Sequence, residues 1–274
     1  MKTLLTASLL LSIVLINTQP IATPVPLISA QGLITPYQTV EVAASVDGII
    51  ESIAVERGDS IAKGQVLANL ESSVEKAAYD LAMARTEFNG ELRTRRASLA
   101  FAETSLKQDE ILYKKGIISV QDIEKSRTQK ELAAAELLQA EENQRLAQLN
   151  LEQARATLDL RTIRSTIDGI VVERLLSPGE LVTRQSEKKI LKLAQISPLL
   201  VELILPVQQF GQIKVGDKAT VFPEAPVGGQ YTAQVTVVDR LVDAASGTFG
   251  VRLEIPNPGN QLPAGLKCRI TLVP

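Results

Sequence analysis

The sequence predicts a mainly β protein that is interrupted by a long α-helical hairpin. A short strand-and-turn motif occurs twice, and a helix-forming stretch without proline, residues 72–161, separates the two copies. After the second copy, short runs of alternating apolar and polar residues continue to the end of the chain. Strand periodicity on both sides of so long a helical stretch is typical of β domains that carry a coiled-coil insertion.

The composition argues against most kinds of enzyme and against nucleic-acid binding. The 274 residues include no histidine, no tryptophan and a single cysteine, Cys268. Imidazole acid–base chemistry, Ser-His triads and thiolate metal clusters are therefore excluded. With 29 basic and 31 acidic side chains the net charge is −2, which gives no basic field for nucleic acid. We expect no catalytic residue, metal site or cofactor, and we interpret Cys268 as a buried apolar side chain.

The first residues have the character of an export signal. Lys2 precedes an apolar run from Leu4 to Ile16, which suits a secretory signal peptide and is short for a membrane span. We expect residues 1–22 to be a signal peptide or, alternatively, an uncleaved N-terminal anchor. Both alternatives place the rest of the chain in the periplasm or another extracytoplasmic space.

The two copies of the strand-and-turn motif share the spacing of their glycines. In each copy an Asp-Gly pair is followed ten residues later by glycine and an acidic residue. The pairs are Asp47-Gly48 with Gly58-Asp59, and Asp168-Gly169 with Gly179-Glu180. We interpret the four glycines as positions that need a positive φ or a close backbone approach, and the later acidic residues as turn residues. Neither copy can bury its apolar face alone, so residues 36–71 and 162–196 are predicted to form one quasi-symmetric sandwich.

The stretch between the copies is predicted to form two antiparallel helices of about 40 residues each, about 60 Å long. Its only glycines are Gly90 and Gly116, and apolar residues recur with a seven-residue period. The predicted seam of the second helix is Ile123, Ala133, Leu137, Ala140, Ala147, Leu151, Ala154 and Leu158. That of the first helix is Leu81, Phe88, Leu92, Leu99, Leu106 and Tyr113, interrupted by Arg85 and Arg95. Alanine in the seam lets two helices approach closely.

The turn between the helices is predicted at residues 114–119. Gly116 suits the end of the first helix, and Ser119 with Asp122 three residues later forms the signature of a capping box.

Residues 197–274 are predicted to form a small β-barrel. Strand-like runs at 201–205, 218–221, 231–238, 250–255 and 267–273 alternate with turns rich in glycine, proline and asparagine. A further strand, residues 27–34, is expected to pair with them.

The order of these parts resembles that of the periplasmic adaptor proteins, also called membrane fusion proteins or the HlyD-like family. The two Asp-Gly copies look like the halves of a split lipoyl (biotinyl-like) domain, with the hairpin between them. The barrel carries the most distinctive stretches, which are 242–249, Val251-Arg252, 255–258 and 262–266. The resemblance covers nearly the whole chain after residue 22. It implies a split lipoyl-like β-sandwich, an antiparallel coiled-coil hairpin and a small β-barrel.

The resemblance also implies a function without catalysis. Adaptors of this family link an inner-membrane transporter, of RND or ABC type, to an outer-membrane channel in a tripartite efflux or secretion complex. Several copies form a ring, the lipoyl-like and hairpin parts stack into a tube, and the barrel contacts the transporter. The protein would then be periplasmic and associated with the inner membrane.

In this family the hairpin tip docks on the channel, which implies docking residues in or next to the predicted turn. They are Leu112, Gly116, Ile118 and Ser119. Adaptors of RND pumps use an arginine, a leucine and a serine here; Leu112 and Ser119 match, whereas Gln108 stands at the arginine position. The chain also has no strands after the barrel, so we expect it to lack the family's membrane-proximal domain.

Two other functions remain open from the sequence. Lys76 follows the first copy at about the distance of the acylated lysine in lipoyl and biotinyl carriers, although a helix is predicted there. A structural coiled-coil protein of the envelope is the other alternative.

Overall fold

The computed structural model describes residues 28–183 and 189–272 of the 274-residue chain. The expected signal peptide or anchor, residues 1–22, lies outside the described residues. The chain divides into two compact units. One contains residues 28–35, 199–256 and 262–272, and the other contains 36–183, 189–198 and 257–261. We call them the barrel unit and the hairpin unit.

The described residues are mainly β-strands, with three α-helices between the fourth and fifth strands. The strands are β1 Ile28–Val42, β2 Gly48–Ile53, β3 Ser60–Ile61, β4 Val66–Leu70, β5 Thr162–Arg164, β6 Gly169–Arg174, β7 Leu181–Val182, β8 Leu191–Pro206, β9 Lys218–Pro223, β10 Tyr231–Val238, β11 Thr248–Ile255 and β12 Lys267–Leu272. The helices are α1 Ser73–Glu87, α2 Gly90–Lys114 and α3 Val120–Asp159. Strands β1 and β8 contribute to both units.

The barrel unit is an antiparallel sheet that closes on itself. Its strands are hydrogen-bonded in the order β1-β12-β9-β10-β11-β8, and β1 also pairs with β8. The strand expected at residues 27–34 is the first part of β1, where Ile28 pairs with Leu272 and Leu33 with Lys267. Alternate residues point inward, so the barrel is filled by side chains such as Leu203, Phe249 and Ile270.

The β part of the hairpin unit has one hydrophobic core, to which both copies of the motif contribute. The first copy supplies β2 to β4, and the second supplies β5 to β8. Strands from different copies pair with each other: β3 with β6, β2 with β7 and β4 with β5. Ile50, Leu67 and Leu70 from the first copy share the core with Val171 and Leu193 from the second.

The two copies are joined by hydrogen bonds that repeat with two-fold symmetry. Gly58 N donates to Val171 O at 2.9 Å, and the corresponding Gly179 N donates to Ile50 O at 2.8 Å. In return, Val171 N donates to Asp59 O and Ile50 N to Glu180 O, both at 2.9 Å. Each copy thus provides hydrogen-bond donors and acceptors for backbone groups of the other copy. The quasi-symmetric arrangement predicted from the repeat is found in the structure.

The first arm of the hairpin is two helices, not the single helix of about 40 residues that we predicted. Helix α1 ends at Glu87, Phe88 has the non-helical ψ of 82°, and α2 begins at Gly90. Gln144 Nε2, from α3, donates to Thr86 O at 2.8 Å and so satisfies a carbonyl near the end of α1. The second arm, α3, is continuous over 40 residues.

The α1/α2 break also makes part of the predicted seam wrong. Leu81, Phe88 and Tyr113 are exposed, whereas Ala82 and Ala102 are buried at the contact with α3. The residues of α1 that face α3 and the residues of α2 that face α3 fall in different seven-residue frames. A single heptad pattern therefore cannot describe both helices. On α3 the predicted frame holds, with Ile123, Ala133 and Ala140 buried and the later positions half-buried.

Candidate functional site: the tip and base of the hairpin

The tip of the hairpin is a compact turn with both helix ends capped. Gly116 has φ 71°, its N donates to Tyr113 O, and Ile117 N donates to Leu112 O at 3.0 Å. This is a Schellman motif, which needs a left-handed residue and therefore favours glycine. The prediction that Gly116 ends the first arm is confirmed.

Ser119 begins α3 with the capping box expected from the sequence. Its Oγ accepts from Asp122 N at 3.2 Å, and Asp122 Oδ2 accepts from Ser119 N at 3.0 Å and from Ser119 Oγ at 2.6 Å. These hydrogen bonds, above all the one from the Ser119 side chain, hold the pKa of Asp122 below its usual value of 3.8. The cap fixes the direction in which the chain leaves the turn.

Replacing Ser119 with alanine is expected to loosen the tip without unfolding the protein. Loss of an N-cap costs about 1 kcal/mol of helix stability. Because the pKa of Asp122 is depressed in the folded state, its stabilisation is present above its unfolded pKa and is lost as the pH falls through the folded pKa. Amide hydrogen exchange at residues 117–123, compared at pH 6 and near pH 3, measures both effects. Wild-type protection that does not fall at low pH, or a variant that exchanges as slowly as wild type, would contradict the capping role.

The exposed apolar surface of the tip lies beside the residues predicted from the sequence. Leu112 and Ile118 are half-buried, whereas Ile117 and Val120 are 64% and 59% exposed. Sequence analysis missed these two residues, because only the cap geometry decides which apolar side chains of the turn face outward. Lys114 and Lys115 are also exposed next to them.

At the base of the hairpin Arg161 connects both arms to the first copy of the β motif. Its Nη2 lies 2.5 Å from Glu75 Oε1 on α1, and its Nη1 donates to Asp47 O at 2.9 Å. The side chains of Arg161 and Glu75 are 21% and 15% exposed, so water screens this ion pair little. Leu70 N donates to Arg161 O at 2.8 Å, which ties β4 to the residue that follows α3.

The four predicted glycines fall into two kinds. Gly58 and Gly179 lie in turns with φ of 95° and 89°. Gly48 and Gly169 are the first residues of β2 and β6 instead of turn residues, and a Cβ there would meet Arg161 Nη1 at 2.7 Å and Ala194 O at 2.2 Å. Asp59 and Glu180 accept hydrogen bonds from Glu56 N and Ser177 N, both at 2.8 Å, so they serve as turn residues.

Lys76 and Cys268 show no arrangement for covalent chemistry. Lys76 lies in the first turn of α1, where its N donates to Ser72 O at 2.9 Å, whereas a carrier lysine occupies a tight β-turn. Burial raises the pKa of the Cys268 thiol to about 11, which keeps it protonated. Within residues 28–183 and 189–272, no cluster of three or more potential metal ligands is present. Among the helices described, none combines the length and apolar character needed to cross a membrane.

A barrel-sandwich hybrid with a helical hairpin between its halves, followed by a separate β-barrel, defines a class of transport adaptor. Residues 38–195 match the family model of the CzcB-like barrel-sandwich hybrid domain, and residues 200–274 match that of the CusB-like β-barrel domain. The chain therefore belongs to the periplasmic adaptor, or membrane fusion protein, family.

The names of similar proteins refer to drug resistance or to export. The multidrug resistance protein MdtE of Escherichia coli K12 is 27% identical over 247 residues, which are 86% of this chain and 61% of MdtE. The macrolide export protein MacA of Yersinia pestis is 24% identical over 249 residues, covering 89% of this chain and 67% of MacA. The chain thus spans about three fifths to two thirds of the length of these relatives.

Solved structures share the fold. The crystal structure of MacA from Actinobacillus actinomycetemcomitans superposes with a TM-score of 0.72 at 23% identity, over 90% of this chain and 78% of that one. The membrane fusion protein Spr0693 from Streptococcus pneumoniae R6 gives a TM-score of 0.61 at 18% identity, over 89% and 98% of the two chains.

Proposed function

We propose that this protein is the periplasmic adaptor subunit of a tripartite efflux complex. In this proposal it bridges an inner-membrane transporter, of RND or ABC type, and an outer-membrane channel, and several copies assemble into a ring around the conduit. The adaptor itself catalyses no reaction. The energy for export, from nucleotide hydrolysis or a proton gradient, is used by the transporter. The family membership carries the proposal, and the capped hairpin with exposed apolar residues at its tip supports it.

The parts of the chain have separate roles in this proposal. Residues 36–71 and 162–196 are the halves of a lipoyl-like sandwich, residues 72–161 are the coiled-coil hairpin, and 197–274 with the strand at 27–34 are the barrel. The hairpin tip, with Leu112, Gly116, Ile118 and Ser119, contacts the channel, and the barrel contacts the transporter. Gly116 and Ser119 act by shaping the turn, while Leu112 and Ile118, with Ile117 and Val120, supply apolar surface.

Site-specific photo-crosslinking in the native host tests the bridging role. A photoreactive residue at position 117, 64% exposed, is expected to capture an outer-membrane channel, identified by mass spectrometry. The same residue at position 241, 86% exposed in the barrel unit, is the comparison and is expected to capture no channel. Capture of the same proteins from both positions, or of nothing above background from position 117, would contradict the proposal.

Leu112→Asp is expected to abolish most export while the protein stays folded. Leu112 is half-buried at the end of α2, next to the capped turn, and a carboxylate there would place a charge in an apolar docking surface, where its desolvation on docking is costly. Val74→Asp is the matched control, because Val74 is 72% exposed in the first turn of α1, where an acidic residue suits the helix dipole. Resistance to exported compounds and the circular dichroism of each variant are the measurements. Equal resistance in the two variants would reject a docking role for Leu112.

A further inference from the structure

Each arm of the hairpin has an outer face, turned away from the seam, that carries exposed apolar side chains. On α3, Leu132, Leu138 and Leu146 are 58–60% exposed, and on α2 Phe101 is 73% exposed. An isolated two-helix hairpin gains nothing from leucine and phenylalanine in these places, where charged residues are usual. Apolar side chains that repeat along one face of a helix are typical of a surface that packs against another molecule.

The two outer faces differ in charge. The α2 face contains Arg93, Ala97, Ala100, Phe101, Lys107 and Lys114, and the acidic residues of α2 lie off it, nearer the seam. The α3 face contains Glu124, Glu131, Leu132, Leu138, Glu142 and Leu146. Lys125 and Arg145 are also on the α3 face. Between them, in the stretch 128–142, the charged residues of this face are Glu131 and Glu142, because Lys130 is half-buried and Glu136 and Glu141 pair with Arg95 and Arg96 of α2 in the same hairpin. The faces are therefore complementary to each other, and each is poorly suited to a copy of itself.

The faces also match in height along the hairpin. Contacts between the arms join Arg95 to Glu136 and Asp109 to Ser126, whose residue numbers add up to 231 and 235. A residue of α2 thus lies level with the α3 residue whose number is about 233 minus its own. By this rule Phe101 is level with Leu132, and Arg93 is level with Glu142 to within two residues. The side chains of Arg93 and Glu142 form no salt bridge within the part of the chain that the structure describes.

We propose that the α2 face of one copy packs against the α3 face of a second copy at the same height. In a cyclic ring whose axis runs along the hairpins, rotation leaves heights unchanged, so equal-level residues of neighbours meet. Phe101 then contacts Leu132 of the next copy, and Arg93 pairs with Glu142 of that copy. The contact is head-to-tail, because each copy uses a different face on each side, and such a contact closes into a ring when the rotation between neighbours divides a full turn evenly. This inference rests on the proposed function for the ring, and it assigns the faces that hold neighbouring hairpins together.

Cysteine crosslinking of the full chain in the native host tests the pairing. A mixture of Phe101→Cys and Leu132→Cys chains treated with a short bismaleimide is expected to give dimers only, and the double variant is expected to give a ladder of higher oligomers. Each single variant alone gives no crosslink, and the native thiol is buried. Phe101→Cys mixed with Leu149→Cys is the control, because position 149 is half exposed but lies about 25 Å further along the hairpin.

Charge reversal provides a second, independent measurement. Arg93→Glu and Glu142→Arg, each introduced into the double-cysteine chain, are expected to reduce the crosslinked fraction roughly threefold, and combining them is expected to restore it. Crosslinks within one single variant, crosslinks from position 149, or reversals without rescue would overturn the pairing.

Resistance measured in the same strains separates this inference from the proposed function. Export that persists while no 101–132 crosslink forms rejects the interface alone. The opposite result is a crosslinked ladder from the double-cysteine chain together with unchanged resistance in a strain from which the gene has been deleted. That result supports the interface and rejects the efflux role.

Discussion

Replacing Gly169 with alanine is expected to lower the free energy of unfolding of the hairpin unit by about 3 kcal/mol. A Cβ at this position would lie 2.2 Å from Ala194 O and 2.9 Å from Ala194 C, which are backbone atoms of the neighbouring strand β8. Ile170 pairs with Ala194 in the same ladder, so neither strand can move away without breaking sheet hydrogen bonds. A clash with backbone cannot be relieved by a rotamer change.

Gly90→Ala is the matched control. Gly90 is the first residue of α2, has no neighbouring atom within 4 Å of the position of a Cβ, and has an ordinary negative φ. Alanine there is expected to be neutral or to stabilise by up to about 1 kcal/mol. Urea unfolding followed by circular dichroism compares the two variants. Similar unfolding midpoints would mean that the β6–β8 contact is looser than the structure indicates.

The second large effect is expected for Arg161→Ala, at about 3 kcal/mol of stability. The change leaves the Glu75 carboxylate in a poorly hydrated site without its guanidinium partner and removes the donor to Asp47 O. Both losses fall at the base of the hairpin, so α1 is expected to detach from the sandwich first. Hydrogen exchange in residues 73–80 is the local measurement, alongside urea unfolding.

Two further variants identify the cause of that loss. Arg96→Ala removes an exposed ion pair to Glu141, 3.5 Å long, and is expected to cost less than about 0.5 kcal/mol. Adding Glu75→Gln to Arg161→Ala removes the buried charge and is expected to recover part of the lost stability. If Arg161→Ala costs no more than Arg96→Ala, or if Glu75→Gln lowers its stability further, the buried charge is not the cause.

The sequence predicted those parts of the fold that are determined by local patterns. The seven-residue period gives the seam of α3, because that helix is continuous from Val120 to Asp159. The caps at Gly116 and Ser119 follow from residues within one turn of each helix end. The pairing of the two Asp-Gly copies follows from their repeated spacing, although the hydrogen bonds between them join residues more than 100 positions apart.

The features that sequence analysis missed depend on contacts between distant residues. The α1/α2 break at Phe88 contains no proline, and the Thr86 carbonyl beside it accepts a hydrogen bond from Gln144, 58 residues away. The role of Arg161 depends on Asp47 and Glu75, which no spacing rule connects to it. The exposure of Ile117 and Val120 follows from the shape of the turn, which their own identities do not determine.

The arrangement at the base of the hairpin has a consequence for how such proteins diverge. The hydrogen bond from Leu70 N to Arg161 O places the two ends of the insertion side by side, so its length is independent of the sandwich that carries it. Adding or deleting seven residues in each arm preserves the seam and the level rule, and changes the span by about 10 Å. Under the proposed function, the reach of the hairpin can therefore change in discrete steps, each one heptad pair long, with no change in the core of the sandwich.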